Sequence, residues 1–260
     1  MEDEIKRQES FKWDRDGAFS TYTQILGYFL AESVLENARK SKLLDLACGD
    51  GLLTTKFQDF FDRIVGVDAS KYHIKKARER CPNIEFHVSL LENFETYEKF
   101  NTITMIDIIE HVVDPIEALK AASSHLAIDG ILLVFAPNAL GVNRRIAKIM
   151  GTLIDEYELS PFDINVAGHR RSYDRHLLIK EVESAGLKVI NSGGVFYKML
   201  STPQIDFLLR KGLWEGGGHG WGRVGMEKSK DWCFEFCRAC YIYGKEHPDE
   251  TNNIYVCCTK

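Results

Sequence analysis

The sequence predicts an α/β protein with a mostly parallel β-sheet covered by helices on both faces. Short apolar segments alternate with helix-like segments from about residue 42 onward. The first apolar segment leads directly into the turn "CGDG", and open α/β sheets bind ligands at such strand ends. A helix start is marked by Asp114, Pro115 and Glu117 at the N-cap, N1 and N3 positions.

The elements are predicted in chain order from these patterns. Apolar residues follow helical spacing from Phe19, which predicts a helix before the first strand. Asp174 is the predicted N-cap of a late helix, and Gly186 fits its C′ position. Strands are predicted at residues 42–48, 63–68, 84–88, 102–108 and 131–136, helices at 52–61 and 71–80, and a late strand pair at 189–197 and 253–259.

The 260 residues are enough for a single domain with insertions. We expect an N-terminal helical cap at residues 1–41, of which the polar first 18 are loosely held. The predicted ligand-binding core is 42–137, and the predicted insertions beside its binding site are 138–173 and 199–250. The glycine-rich run 216–222 is predicted to be a flexible connection, with a lid over the site as the alternative.

Composition narrows the classes of function. The net charge of −5 argues against broad binding to nucleic acid. The longest apolar run, residues 131–137, is too short to span a bilayer, and the charged start MEDEIKRQES lacks the apolar core of a secretory signal. Seven irregularly spaced cysteines fit reduced thiols. These features predict a cytoplasmic protein without nucleic-acid or membrane partners.

The glycine turn and a later acid suggest the ligand. Gly49 and Gly51 let the backbone approach a ligand closely, whereas Asp50 between them would repel a pyrophosphate. Asp68 ends the second strand, 17 residues after Gly51, near the offset at which an acid receives ribose hydroxyls. A ribose-bearing ligand with positive charge fits this pattern, and S-adenosylmethionine (SAM) is such a ligand. A tight turn without a ligand is the alternative.

Four segments together resemble the class I SAM-dependent methyltransferases: "LLDLACGDG", "IVGVDAS", "ITMIDIIEHVVDP" and "DGILLVFAPN". The resemblance implies a Rossmann-like, seven-stranded sheet with SAM as cofactor and S-adenosylhomocysteine as product. It implies that Asp45, Gly49 and Gly51 lie near the methionine portion and Asp68 at the ribose. The remaining cofactor positions that it implies are Ala47, Ala69, Ser89, Leu90, Leu91 and Ile106.

The segment "MIDIIEHVVDP" holds the candidate catalytic residues Asp107 and His111, which by topology border the methyl-donor sulfur. His111 is a candidate general base, because an imidazole titrates near neutral pH. A structural histidine that binds the backbone is the alternative. Asp107 is either a contact to the cofactor ammonium or acceptor, or a helix-capping acid. Glu110 is predicted to be structural.

A basic segment, "GHRRSYD", suggests which kind of molecule accepts the methyl group. Paired arginines bind phosphate or carboxylate bidentately, so two basic clusters in an acidic protein favour a small anionic acceptor. Ion pairs with the protein's own acids are the alternative. The candidate acceptor-binding residues are Tyr22, Arg144, His169, Arg170, Arg171 and Tyr173.

The pattern "GHRR-x-YD…AGL-x-V…GG-x-F-x-K" resembles a bacterial subgroup associated with surface-polysaccharide or small-metabolite pathways. We therefore expect methyl transfer to nitrogen or oxygen of a small anionic metabolite, such as a phosphorylated amino alcohol or sugar derivative. One alternative is a quinol or phenol O-methyltransferase, because "EHVVDP" resembles quinone-pathway enzymes. The other is a non-catalytic SAM-binding protein. A homodimer is compatible with the sequence.

The cysteines of "WCFEFCRACYIYG" have the C-x3-C-x2-C spacing of radical-SAM iron–sulfur sites. The same spacing places Cys233, Cys237 and Cys240 on one face of a helix, where they form a buried stripe. Their place late in the chain favours packing. Cys257 and Cys258 are predicted to lie in a strand core. The spacing of histidines and acids predicts no metal site.

Overall fold

The structure is a computed structural model that describes residues 2–10, 20–200, 204, 205, 207 and 232–260. The described residues form a seven-stranded sheet in the order β3-β2-β1-β4-β5-β7-β6. Within it, β7 alone runs antiparallel to its neighbours β5 and β6. The strands are β1 Lys42–Leu46, β2 Arg63–Asp68, β3 Glu85–Val88, β4 Phe100–Ile106, β5 Leu126–Pro137, β6 Lys188–Val195 and β7 Asn253–Thr259.

Helices pack on both faces of the sheet. None of those in the described ranges is long and apolar enough to cross a membrane. The α-helices are α1 Glu2–Ser10, α2 Ser20–Asn37, α3 Lys71–Arg80, α4 Pro115–Ser124, α5 Val142–Ile149, α6 Arg175–Ser184 and α7 Trp232–Glu246. Short turns of 3-10 helix are Thr54–Phe57, Leu91–Asn93 and Pro248–Glu250, and Asp163–Ala167 is a π-helical turn.

Two apolar layers hold the sheet between the helices. Alternate side chains of a strand face opposite sides, so Leu43 and Leu44 of β1 enter different layers. One layer joins the sheet to α4 and α6 through residues such as Leu119 and Leu178. The other joins it to α2 and α7, where Phe29 stacks on Tyr241 with ring centroids 4.9 Å apart. The predicted mostly parallel sheet with helices on both faces is thus confirmed.

The direction of the strands determines where the functional edge lies. β1, β2, β4 and β5 pair in parallel, so their carboxyl ends meet at one edge. Because β7 is antiparallel to both β5 and β6, the carboxyl end of β6 and the start of β7 also reach that edge. We call this the carboxyl edge of the sheet.

The predicted caps are present. Asp114 Oδ1 accepts hydrogen bonds from the backbone N–H groups of Ile116 and Glu117 at 3.0 and 3.1 Å. Asp174 Oδ1 accepts from Leu177 N at 2.6 Å, and Gly186 adopts φ +83° beyond the end of α6. These signals were readable because a cap depends on residues only a few positions apart.

Two predicted features differ from the structure. Residues 52–61 form only the 3-10 turn Thr54–Phe57, in which Lys56 N bonds to Leu53 O in the tighter i−3 pattern. Part of the first 18 residues, expected to be loosely held, is the helix α1. It docks on the domain through Glu4, whose carboxylate pairs with Arg170 at 2.7 Å.

The two described cysteines of α7, Cys237 and Cys240, pack as the apolar interpretation predicts. Cys237 is buried and Cys240 half-buried in the cluster of Phe29 and Tyr241. Cys257 and Cys258 are buried in β7. The side chain of Cys233 and the glycine-rich run 216–222 lie outside the described residues.

Candidate active site

The turn after β1 has an unusual backbone. Ala47, Gly49 and Gly51 have φ values of +60°, +57° and +76°, in the left-handed region. A Cβ on Gly51 would lie 3.2 Å from Ala77 of α3, so this glycine permits close packing between turn and helix. A Cβ on Gly49 would meet no described atom within 4 Å. The turn therefore presents bare backbone at the carboxyl edge.

Asp68 is held against this turn. Its Oδ2 accepts a hydrogen bond from Gly49 N at 3.0 Å, and its Oδ1 accepts from Ser70 N at 2.8 Å. Ala69 follows it at the end of β2, and Ser89 N donates to Asp68 O at 3.0 Å. The fold thus brings together the glycine turn, Asp68 as the candidate for ribose binding, and the segment that begins at Ser89 and includes Leu90 and Leu91. Leu91 is buried.

The two other acids of the turn do not present free charge. Asp45 is buried and accepts hydroxyl hydrogen bonds from Thr54 at 2.7 Å and Thr104 at 2.8 Å. Asp50 Oδ2 pairs with Arg80 at 2.9 Å. Arg80 therefore compensates the charge of Asp50 in this turn.

Asp107 lies at the centre of the carboxyl edge, directly after Ile106 ends β4. Its φ of +50° is unusual for a non-glycine residue, and such backbone is concentrated at functional sites. Its N–H donates to Phe135 O at 3.1 Å. Its Oδ1 accepts from Asn253 Nδ2 at 2.7 Å. Asn253, which the sequence analysis missed, arrives from the start of β7.

Lys198 is a second residue that the sequence analysis did not single out. It follows the carboxyl end of β6 and is only 8% exposed. Burial lowers the pKa of its ammonium to about 8, against an opposing effect of the nearby Asp107 charge. The final lysine of the pattern "GG-x-F-x-K" was the available signal.

Glu110, His111 and His169 form a cluster beside this edge, in which Glu110 is buried and the two histidines are half-buried. His111 Nε2 and His169 Nε2 lie 3.6 and 3.9 Å from Glu110 Oε1, and the two imidazole rings meet edge to face at 4.9 Å. His169 Nδ1 lies 3.5 Å from Asp163 Oδ1. Within the described ranges, neither carboxylate oxygen of Glu110 has a hydrogen-bond partner.

Burial shifts the pKa values of this cluster. It raises the pKa of Glu110 well above the usual range, and the Asp107 charge acts in the same direction. It lowers the pKa of His111 to about 4, with a further lowering from His169. His111 is therefore neutral at physiological pH, but it is a weak proton acceptor there.

The cluster also corrects the prediction that no residues are arranged as metal ligands. One ligand atom from each of Glu110, His111 and His169 lies within 4.8 Å of the others, so these residues could hold a cation. Two imidazoles with a carboxylate suit transition metals. Sequence spacing could not reveal the set, because His169 reaches Glu110 only through the fold.

The arginines of the basic segment are already engaged. Arg170 Nε donates to His111 O at 2.8 Å, and its Nη2 pairs with Glu4. Arg171 Nη1 donates to Val112 O at 2.6 Å and to Ile109 O at 3.1 Å. Both guanidiniums thus bind the chain segment that follows β4. This arrangement contradicts the prediction that Arg170 and Arg171 bind an anionic acceptor.

The other acceptor candidates are placed as follows. Arg144 Nε donates to Glu156 O at 2.9 Å and its Nη1 pairs with Asp163 at 3.3 Å, while its Nη2 contacts the Glu158 carbonyl. Tyr173 is buried, and burial raises its pKa. Tyr173 is thus not an exposed acceptor contact, whereas Arg144 lines a small pocket with Asp163, His169 and Arg171. The side chain of Tyr22 lies outside the described residues.

Relatives in sequence are methyltransferases. One is the ubiquinone biosynthesis O-methyltransferase of Idiomarina loihiensis, 25% identical over 210 residues that cover 75% of this chain and 84% of the relative. Another is the enzyme of the same name from Rickettsia canadensis, 22% identical over 197 residues, covering 72% and 82%.

Solved structures share the fold. A SAM-dependent methyltransferase from Clostridium acetobutylicum has a TM-score of 0.55 at 15% identity and covers 98% of both chains. A possible histamine N-methyltransferase from Thermotoga maritima has a TM-score of 0.56 at 16% identity, covering 91% of both. A family model described as a methyltransferase domain matches residues 18–192, more than half of the sequence. The chain therefore belongs to the methyltransferase-domain family, and it is a SAM-dependent methyltransferase.

Proposed function

We propose that this enzyme transfers the methyl group of SAM to a hydroxyl oxygen of a small molecule, with phenols and quinols as the favoured class. The observation that carries the proposal is the polar group at the carboxyl edge: Asp107, Asn253 and Lys198. The O-methyltransferase activity named for the relatives supports the choice of oxygen.

The chemistry explains why such a group matters. The sulfonium of SAM is already an activated methyl donor, so the protein mainly aligns oxygen, methyl carbon and sulfur. A hydroxyl, unlike a neutral amine, needs proton removal before or during attack. The site therefore requires a proton acceptor near the methyl group. Titratable candidates at the carboxyl edge include Asp107 and His111 after β4 and Lys198 after β6.

We place SAM along the carboxyl edge. Its methionine portion lies at the bare backbone of Ala47, Gly49 and Gly51, and its ribose at Asp68, next to Gly49 N. Its adenine lies by Ser89, Leu90 and Leu91. This orientation directs the methyl group toward Ile106 and Asp107. Asp45, bound to Thr54 and Thr104, supports the turn from beneath.

A phosphorylated amino alcohol or sugar has less support as the acceptor. That hypothesis depended on Arg144, Arg170 and Arg171 as anion ligands. All three guanidiniums bind backbone carbonyls or the protein's own carboxylates. An anionic acceptor would have to displace these contacts.

A screen for methyl acceptors tests the proposal. The purified enzyme is incubated with SAM and with either phenols, catechols and quinols or phosphorylated amino alcohols and amino sugars, and S-adenosylhomocysteine release is measured. We expect turnover with the aromatic hydroxyl compounds. Turnover confined to the amine or phosphorylated compounds would reject the proposal.

Two matched variants connect the activity to the site. Asp107 and Asp129 are both aspartates with positive φ, +50° and +60°. Asp107 lies at the carboxyl edge and Asp129 near the opposite end of β5. We expect Asp107→Asn to reduce kcat at least about tenfold and Asp129→Asn to leave it unchanged. Equal effects of the two substitutions would argue against a role for Asp107.

A further inference from the structure

The topology brings Lys198 to the carboxyl edge and fixes the chain there. The strand β6 ends at Val195, and Phe196 turns the chain with φ +68°. Tyr197 N donates to Cys240 O of α7 at 3.0 Å, and Asn252 N donates to Phe196 O at 2.8 Å. The backbone leading to Lys198 is therefore held from two sides.

Asp107 is the charged group that acts on Lys198. The Asn253 amide fixes the orientation of the Asp107 carboxylate with a hydrogen bond of 2.7 Å. Beside Lys198, the ionisable groups that act on the Tyr197 phenol are Tyr243 and Cys240 of α7, Glu250 of the turn before β7 and Arg145 of α5. The Asp107 charge acts on the Lys198 ammonium and opposes the effect of burial on its pKa.

We propose that Lys198 is the proton acceptor for the hydroxyl that becomes methylated, with Asp107 orienting its side chain. This inference rests on the proposed O-methyl transfer and names the group that completes it. It depends on the position of Lys198 at the end of β6, its burial and its proximity to the carboxylate that borders the methyl group.

The proposed step balances as follows. The lone pair of the neutral Lys198 amine takes the hydroxyl proton and becomes an ammonium. The acceptor oxygen attacks the methyl carbon, so a C–O bond forms as the C–S bond breaks. The electron pair of the broken bond stays on sulfur and gives S-adenosylhomocysteine. The Lys198 ammonium then releases its proton to solvent.

Lys198 suits this role better than His111. A general base works best when its pKa lies near the working pH. The pKa of Lys198 is lowered to about 8. About a tenth of the Lys198 side chains are therefore neutral at pH 7, and most are neutral at pH 9. The Nε2 of His111 instead points toward Glu110 Oε1, 3.6 Å away.

The test compares wild type, Lys198→Met, Lys198→Arg and Lys198→Ala on a hydroxyl acceptor found by the screen. Lys120→Met is the control, because Lys120 is an exposed lysine of α4 paired with Glu117. For each protein, kcat/KM is measured from pH 6 to 10, and SAM affinity is measured by calorimetry. Thermal melts show which variants fold.

We expect kcat/KM of the wild type to rise with pH and level off above about pH 9. Lys198→Met and Lys198→Arg should lose that dependence and about 100-fold or more in kcat, with SAM affinity within about threefold of wild type. Small primary amines should restore part of the activity of Lys198→Ala. Lys120→Met should match the wild type.

Two results would overturn the inference without affecting the proposed function. One is wild-type turnover of hydroxyl acceptors with an unchanged pH profile in folded Lys198→Met. The other is no rescue of Lys198→Ala by any amine. If the wild type methylates no hydroxyl acceptor, the proposed function fails, and this inference fails with it.

Discussion

Single side chains at this site show that a charged residue near a ligand-binding edge can bind backbone carbonyls and not the ligand. Arg171 looks like an anion ligand in the sequence, yet its guanidinium binds the carbonyls of Ile109, Val112 and Val113. These carbonyls belong to the irregular segment after β4, which has no strand to pair with. Arg171 therefore supplies the hydrogen bonds that a neighbouring strand would otherwise provide to these carbonyls, and it holds Glu110 and His111 in place.

Arg171→Ala should consequently affect stability more than acceptor binding. Losing charge-assisted hydrogen bonds to three carbonyls should lower the free energy of unfolding by about 2–3 kcal/mol, measured by urea denaturation. Arg145→Ala is the matched control, since Arg145 only approaches Glu250 at 4.0 Å on the surface. If Arg171→Ala raised the KM for the acceptor and left the stability unchanged, the result would favour Arg171 as a ligand of an anionic acceptor.

His125 gives a prediction for pH dependence. It ends α4, is buried, and its Nε2 lies 3.0 Å from Phe94 O. Burial lowers its pKa, so the unfolded chain takes up a proton near pH 6.5 while folded His125 stays neutral. Stability contributed by the neutral form is therefore present at higher pH and lost as pH falls below 6.5.

His125→Gln should reduce this loss, because an amide keeps a donor for Phe94 O but does not titrate. Relative to this variant, the wild type should lose up to about 1 kcal/mol of unfolding free energy between pH 7.5 and 5.5. Urea titrations at the two pH values measure the difference. A stability gap that stays constant across that range would contradict the prediction.

At the scale of elements, the turn after β1 assigns different tasks to its two glycines. Gly51 lies against Ala77 of α3, whereas Gly49 opens onto the carboxyl edge. Both have positive φ, so alanine strains the backbone at either position. What differs is the surroundings that the added methyl group meets.

Gly49→Ala should weaken SAM binding by tenfold or more, because in the proposed placement of SAM its methyl group would occupy the space that the cofactor takes. Gly51→Ala should mainly lower the melting temperature. Gly151→Ala is the control, since Gly151 has φ +71° and equally open surroundings away from the turn. Calorimetric titration with SAM and thermal melts separate these effects. Equal SAM affinity in the Gly49 and Gly151 variants would reject the assignment.

Local signals predicted the elements well, and long-range contacts explain what was missed. The caps of α4 and α6 were readable because Asp114 and Asp174 act on residues two or three positions away. The partnership of Asp107 with Asn253 and the meeting of Glu110 with His169 join distant parts of the chain. No periodicity in the sequence reports such contacts. The engaged arginines were misread for the same reason.

At the scale of the whole molecule, the proposed cofactor site joins separate elements. The hydrogen bond from Gly49 to Asp68 links the ends of β1 and β2, and Ser89 joins them from β3. A ligand that spans these strand ends binds the folded chain and not the unfolded one. Cofactor binding should therefore stabilise the entire domain.

SAM at 100 times its Kd should add about 2.7 kcal/mol to the free energy of unfolding. For a chain of this size, that corresponds to a rise in Tm of roughly 5–10 °C. Thermal melts with SAM, S-adenosylhomocysteine, adenosine and methionine measure it. The two complete ligands should stabilise most, and an equal shift with methionine alone would contradict the proposed placement.

The position of β7 between β5 and β6 has a consequence for folding kinetics. Fifty-seven residues, 196–252, separate β6 from the strand that attaches it to the sheet. Before β7 docks, β6 has no neighbour in the sheet, and closing so long a loop is entropically slow. Amides of β6 and β7 should therefore gain protection from hydrogen exchange together and later than those of β1 and β4 during refolding.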